Sequence, residues 1–328
     1  MKTSKWFLLF LAVCLVFSLA ACGGGGGGSD DPSGGGGNPV VNTTPLTFTA
    51  LAAGSTVSTT NQGGTVANTP SLEYSTDGEN WEPFTLNTGD DATNTKIILA
   101  NVGDKVYLRA TGTNDSFSAD DGYIKFTMTG SIAASGNIMS LVDKECKSTV
   151  IPSKLCFYCL FANCGVVLTS APELPATTLK DSCYADMFYG CKSLVSAPEL
   201  PATTLATGCY DGMFAECSAL TTVPTLPATT LAEYCYSGMF DNCTSLVNAP
   251  EIKATSLPEG SCYGMFIRCS ALEKITVHFT DWNTAGQATN NWVMDTTAGG
   301  HFYCPAGLID RTEDDSKIPT GWTVHDLP

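Results

Sequence analysis

The chain has 328 residues, 16 of them basic and 32 acidic, for a formal net charge of −16 at pH 7. That charge opposes binding to nucleic acid or to an anionic membrane surface, since both repel a polyanion. No nucleotide-binding glycine loop, nucleophile elbow or zinc-protease helix occurs in it, so no catalytic residue, cofactor or metal is expected and the chain reads as a non-enzyme.

Lys2 and Lys5 precede an apolar run from Trp6 to about Phe17, which ends at Leu19-Ala20-Ala21-Cys22. A basic start, a short apolar core and small residues before a cut mark residues 1–21 as an export signal, too short to span a bilayer as a stable helix. The last four residues resemble the lipobox of bacterial lipoproteins. That resemblance implies cleavage before Cys22 and lipid on its thiol and new amino group, hence a membrane anchor through Cys22. Several acyl chains at about 0.8 kcal/mol per buried CH₂ would make the attachment permanent. Residues 22–45, with glycine runs at 23–28 and 34–37, have no means of forming a core and read as a tether. About 20 flexible residues reach on the order of 25 Å. Gly23, rather than Asp, after the cysteine is compatible with outer-membrane delivery and leaves the membrane face open; the expected location is the cell envelope, lipid-anchored at the outer membrane, with surface exposure the reading adopted.

Residues 46–143 alternate in polarity. Lys105-Val106-Tyr107-Leu108-Arg109-Ala110 and Tyr123-Ile124-Lys125-Phe126-Thr127-Met128 place apolar side chains at every second position, as half-buried strands do. Asp77-Gly78 and Val102-Gly103-Asp104 are hairpin signals. An antiparallel sandwich-like β-domain is expected here, placed to dock on the region that follows and shield its open end.

From 144 to 272 the chain repeats every 26 residues. Met187-Phe188, Met213-Phe214, Met239-Phe240 and Met265-Phe266 are each followed, three residues beyond Phe, by Cys191, Cys217, Cys243 and Cys269. An imperfect copy, Cys156 to Cys164 with Leu160-Phe161, precedes them, making five coils. Within a copy, Cys, Met and Cys fall at i, i+4 and i+8, the stripe of a short helix with its apolar side inward. The remainder, such as Leu194-Val195-Ser196-Ala197-Pro198-Glu199-Leu200-Pro201, reads as a short strand and a turn. A helix-strand unit of this length with spaced leucines reads as a leucine-rich-repeat coil. More closely, Met-Phe-x-x-Cys-x-x-Leu-x-x-[Ala/Val]-Pro followed by Leu-Pro-Ala-Thr-Thr-Leu resembles the BspA-like leucine-rich repeats of bacterial surface proteins, over residues 145–272. The resemblance implies a surface-exposed adhesin. Pro198, Pro224 and Pro250 sit where the concave strand should run, and proline donates no ladder hydrogen bond, so strands of only a few residues are expected.

Residues 273–328 open with the alternating Ile275-Thr276-Val277-His278-Phe279, then supply Trp282, Trp292, Phe302, Tyr303 and Trp322 without the repeat. A terminal cap is expected, with an aromatic ligand platform as the alternative. The fold expected overall is α+β: a β-sandwich-like domain, a five-coil leucine-rich-repeat solenoid and a C-terminal cap.

Fifteen cysteines in an exported chain suggest disulfides, but helix geometry opposes them. Positions i and i+8 lie about 12 Å apart along a helix axis, whereas bridged Cα atoms are under roughly 7 Å apart. Equivalent positions on packed helices are about 8 to 10 Å apart. Small, buried, free thiols are therefore expected, with Cys146 and Cys159 the pair most free to bridge and Cys304 an odd thiol. Only Cys156-Phe157-Tyr158-Cys159 with Cys164 approaches a zinc-ligand spacing, and the histidines number three, at 278, 301 and 325. Asp186, Asp211 and Asp241 are not equivalently placed in their coils and read as solvated surface. The acidic groups Asp90-Asp91, Asp120-Asp121 and Glu313-Asp314-Asp315 lack EF-hand spacing.

Binding at the bacterial surface is the expected function, to a host protein, matrix component or neighbouring cell, through the polar positions that vary between copies: Ser196 and Glu199, Thr222 and Thr225, Asn248 and Glu251. The alternatives are glycan binding through Trp81 or C-terminal aromatics such as Trp292, and a structural surface role without a foreign ligand.

Overall fold

Alternation in the N-terminal region does produce strands, because each buries its apolar side chains on one face. In the computed structural model the described residues are 42–328 except 65, 67–68, 87–93 and 120–121. The export signal, Cys22 and most of the tether, Asp90-Asp91 and Asp120-Asp121 lie outside them. In chain order the strands are β1 (Leu46–Ala50), β2 (Ser55–Gly63), β3 (Leu72–Ser75), β4 (Glu82–Phe84), β5 (Ile97–Leu99), β6 (Lys105–Ala110), β7 (Ser118–Ala119), β8 (Gly122–Thr129) and β9 (Ile132–Ser135). Further on come β10 (Leu168–Ser170), β11 (Lys274–Thr276), β12 (His301–Pro305) and β13 (Thr323–Leu327).

Two sheets form the N-terminal region, ordered β10-β9-β1-β6-β3-β4 and β5-β2-β8-β7. Phe48 of β1 meets Phe126 of β8 edge to face at 5.1 Å, so the two sheets share a core. Asp77-Gly78 lies in the β3–β4 hairpin as expected, its carboxylate accepting the amides of Glu79 and Asn80 at 2.9 and 2.8 Å. Val102-Gly103-Asp104 does not close a hairpin: β5 pairs with β2 and β6 with β1 and β3, so this turn carries the chain from one sheet to the other.

The repeats differ from the expected helices. Residues in left-handed conformation recur every fourth position, at Ser182, Asp186 and Gly190, at Gly208, Gly212 and Glu216, at Tyr234, Gly238 and Asn242, and at Gly260, Gly264 and Arg268, with φ between 50° and 69°. A right-handed helix cannot run through such residues. Instead, alternate amides do different work. Those of Cys183, Ala185, Met187, Tyr189 and Cys191 close turns on carbonyls three residues back. Those of Ser182, Tyr184, Asp186, Phe188 and Gly190 donate to Thr207, Cys209, Asp211, Met213 and Ala215 of the next repeat, at 2.8 to 3.0 Å. Each segment is a run of linked turns hydrogen-bonded to its successor.

The α+β expectation is therefore corrected. Among the described residues there is no α-helix, only two short 3-10 turns at Ile138–Leu141 and Thr284–Gly286. The fold is almost all β, with three open sheets. A leucine-rich-repeat solenoid of five helix-strand coils is not what forms, since the helical half is absent and no sheet runs through the repeats. Between Pro198, Pro224 and Pro250 the pairing shrinks to single parallel bridges, Ser196 with Thr222 and Asn248 with Lys274. The expected cap carries a further run of turns, with Asn283, Gln287, Asn291 and Asp295 at φ 45° to 61° and Trp292 in place of Phe. It ends in the parallel sheet β11-β12-β13.

Met187, Phe188, Cys191, Met213, Phe214, Cys217, Met239, Phe240, Cys243, Met265, Phe266 and Cys269 are all 0% exposed. Their rings form columns: Phe161, Phe188, Phe214, Phe240 and Phe266 stack at 5.4 to 5.9 Å, and Phe157, Tyr184, Tyr210 and Tyr236 at 5.8 to 6.2 Å. Repeats are thus closer than the 8 to 10 Å of packed helices, because backbone hydrogen bonds join them directly. All thirteen cysteines among the described residues are free and buried, Cys146, Cys159 and Cys304 included. The thiols of Cys191, Cys217, Cys243 and Cys269 donate to the carbonyls of Phe161, Phe188, Phe214 and Phe240 in the preceding repeat, at 3.0 to 3.3 Å.

Gly238 has φ +56° and open space where a β-carbon would stand, its nearest neighbours at 3.9 Å. Gly238→Ala is expected to destabilise by about 1–2 kcal/mol, the cost of a left-handed residue with a β-carbon. In a helix interior the same change would stabilise by about 0.5–1 kcal/mol, so the sign of the shift in the urea midpoint separates the two structures. Burial pushes the thiols of Cys183, Cys217, Cys235 and Cys269 up to about 12. Since the thiolate is the reactive form, a chromogenic thiol reagent should react slowly with the native protein and promptly with these thirteen thiols after denaturation without reductant. A titre near zero in the denatured protein would instead reveal bridges.

Candidate functional site

The repeated Met, Phe and Cys positions point inward, so what is left for a partner is the polar set that varies together with the prolines at the surface. Ser196, Glu199, Thr222, Thr225, Asn248 and Glu251 are all exposed. Stacking gathers them into two columns. In one, Ser196 faces Thr222 and Asn248 faces Lys274, and the column continues through His301 and Thr323 across β11, β12 and β13. In the other, Glu199 Oε2 accepts from Thr225 Oγ1 at 2.8 Å and from its amide at 3.3 Å, and Glu251 Oε1 lies 2.6 Å from His278 Nε2.

Three further residues belong to these columns. Glu173 stands 26 positions before Glu199 and its Oε1 accepts from Asn42 Nδ2 at 2.9 Å. Lys274 stands 26 positions after Asn248, so the period alone places both; His278, one residue out of register, was hidden by the slip between repeats. Between the first two rungs the prolines make a groove. Pro172, Leu174, Pro175, Pro198 and Pro201 line a depression of about 370 Å³ with Glu173 and Glu199 also in its wall. The pyrrolidine rings and Leu174 make the groove apolar, proline fixes φ along its wall, and Glu173 and Glu199 add carboxylates to it.

The aromatic alternative fares differently. Trp282, Trp292 and Trp322 are 2%, 0% and 4% exposed, and their indole N–H groups donate to the carbonyls of Asp310, Lys317 and Thr297 at 2.7 to 2.8 Å. They are core. Trp81 carries the Arg109 guanidinium over its ring at 3.6 Å, which covers one ring face. Of the C-terminal aromatics, Tyr303 is partly open, and it stacks on His325.

Asp186, Asp211 and Asp241 are not simple solvated surface. All three are half-buried on the turn side. Burial raises Asp186 to about 6, with the neighbouring Asp211 adding to the shift. Burial raises Asp211 too, opposed by a hydrogen bond with Ser237. Asp241 is raised by burial and held in check by Arg268, whose Nη2 lies 2.7 Å from Oδ2. A β-carbon on Gly212 would meet the Asp186 carboxylate, which would have to shift to admit it. In the C-terminal acidic group, Glu313 accepts the Gly321 amide at 2.7 Å and Asp314 the Ser316 amide at 2.8 Å, so those two carboxylates shape the loop. Among the described residues no three His, Cys, Asp or Glu side chains gather as a metal site.

No protein-family model, curated protein or solved structure matches this chain.

The Asp186 carboxyl ordinarily titrates at 3.8 and does so near 6 in the fold. Between those values the native state holds the extra proton, so stability falls as pH rises from about 4 to about 6. Asp186→Asn keeps a residue that tolerates the left-handed conformation and removes the charge. Melting temperatures of variant and wild type are expected to agree near pH 4 and to separate above pH 6, with the variant higher.

Proposed function

We propose that this chain is a lipid-anchored bacterial surface protein that binds an extracellular protein through its exposed strand-side columns. The observation that carries the reading is the proline-lined groove with Glu173 and Glu199 in its wall, continued by Glu251 on the same column. An apolar trough flanked by carboxylates suits an extended segment bearing lysine or arginine, with apolar contacts supplying affinity and charge supplying orientation. A net charge of −16 would draw such a basic partner from a distance.

Two features of the sequence support the location. Leu19-Ala20-Ala21-Cys22 resembles a lipobox, and the Met-Phe-x-x-Cys repeat resembles that of BspA-like surface proteins. Outer-membrane display, facing outward, and the absence of catalysis belong to the same proposal. Glycan binding through Trp292 is the less favoured reading because that ring is in the core.

Full-length protein in detergent, screened against host matrix proteins and glycans, is expected to bind a basic matrix protein in a salt-sensitive manner. Glu199→Lys combined with Glu251→Lys should weaken that binding by roughly tenfold or more, equivalent to about 1.4 kcal/mol. Equal binding by the double variant would move the contact off this face. Silence toward both ligand classes would leave only a structural surface role.

A further inference from the structure

Two of the three histidines, distant in sequence, come together on the C-terminal sheet. In the parallel pairing of β12 with β13, His301 faces Thr323 and Tyr303 faces His325, so His301 and His325 are diagonal neighbours on one face. Their Nδ1 and Nε2 atoms are 3.0 Å apart. We propose that this pair supplies the two protein ligands of a site for a borderline divalent transition-metal ion, Cu²⁺ above all.

The distance carries the argument. Imidazole nitrogens bind such ions at about 2.0–2.1 Å. Two nitrogens 3.0 Å apart then subtend an angle of about 94° at the ion, close to the right angle between neighbouring ligands in square-planar or octahedral coordination. In the metal-free protein one ring donates a hydrogen to the other. Metal binding needs no net loss of that proton: the donor ring moves its hydrogen to its far nitrogen and turns a lone pair to the ion, since neutral imidazole exists in either tautomer.

The rings are held in advance. His325 stacks on Tyr303 at 4.6 Å with planes 16° apart, and Tyr303 has the Lys274 ammonium 5.2 Å from its ring centre. Five consecutive residue pairs fix the register of the two strands, so bringing the two rings together costs little ordering, and what binding still requires is their turn from each other toward the ion. Among the described residues no third His, Cys, Asp or Glu joins the cluster, so the remaining positions fall to water or to a partner's donor atoms. Imidazole ligands and open positions favour Cu²⁺ over Ni²⁺ and Zn²⁺ in the usual order of divalent affinities.

The test is titration of the full-length protein in detergent with CuCl₂, read by electron paramagnetic resonance and calorimetry, and with NiCl₂ by calorimetry. One Cu²⁺ per chain with two imidazole nitrogens in its spectrum is expected. His301→Asn and His325→Asn should each weaken binding by more than about tenfold, since each removes one of two protein ligands and loss of an outer-shell group alone costs about 10–100-fold. His278→Asn should leave it unchanged. A wild-type spectrum lacking two imidazole nitrogens would overturn the proposal regardless of the variants. So would unchanged affinity in both single variants.

Discussion

Alternate amides in each run of turns point along the stack, and a buried amide must find an acceptor. With a left-handed residue at every fourth position, the backbone cannot satisfy them within its own repeat. Tyr184, Asp186, Phe188 and Gly190 therefore depend on the carbonyls of the following repeat, as Tyr210, Gly212, Phe214 and Glu216 depend on the one after. The stack consequently has a direction: free carbonyls at its N-terminal end and free amides at its C-terminal end. A single repeat could bury neither its backbone groups nor its Phe and Met side chains.

Both ends meet that demand with opposite chemistry. At the first repeat the β-domain brings donors: the amides of Phe117 and Phe126 bond the carbonyls of Cys156 and Leu160, the Ser118 hydroxyl that of Leu155, and the Lys125 ammonium that of Ala162. At the last repeat the loop near 315 brings acceptors, the Asp315 carbonyl for the Val293 amide and the Ser316 hydroxyl for the Asn291 amide. The aromatic columns follow the same path, with Phe117 and Phe126 stacking on Phe157 and Phe161 before the repeats take over. Capping here is hydrogen-bond matching as much as cover for apolar surface. Close repeat spacing also explains the cysteines: a small side chain with a weak donor fits where a neighbour's carbonyl stands 3.0 to 3.3 Å from sulfur.

The legible parts of the sequence were those set by local physics. Two-residue alternation placed β6 and β8, Asp77-Gly78 placed a hairpin, and the 26-residue period marked which Met, Phe and Cys would be buried and which polar positions would line up. The expected helix does not form because Cys, Met and Cys at i, i+4 and i+8 satisfy a four-residue turn period as well as a helical one. A signal against it was present. Gly208, Gly212, Gly238, Gly260 and Gly264, with Asp186 and Asn242, put left-handed-tolerant residues at four-residue intervals, which no helix needs. Val102-Gly103-Asp104 departs from the expected hairpin for another reason: a turn motif states that the chain reverses, not which sheet receives it.

From composition and spacing alone came the stacking of like on like, the inward apolar set and the exposed columns, since identical units in register bring identical positions together. The direction of the hydrogen bonds was set only in three dimensions, because it depends on the sign of φ at every fourth residue. Approach off the period was likewise undetermined by spacing: the Asp186 and Asp211 carboxyls, 25 positions apart, and the His301–His325 pair, 24 apart, arise where chain segments of unequal length are brought side by side. Period could foresee that Met and Phe would be core. Only the packed chain could decide which of the remaining residues would meet.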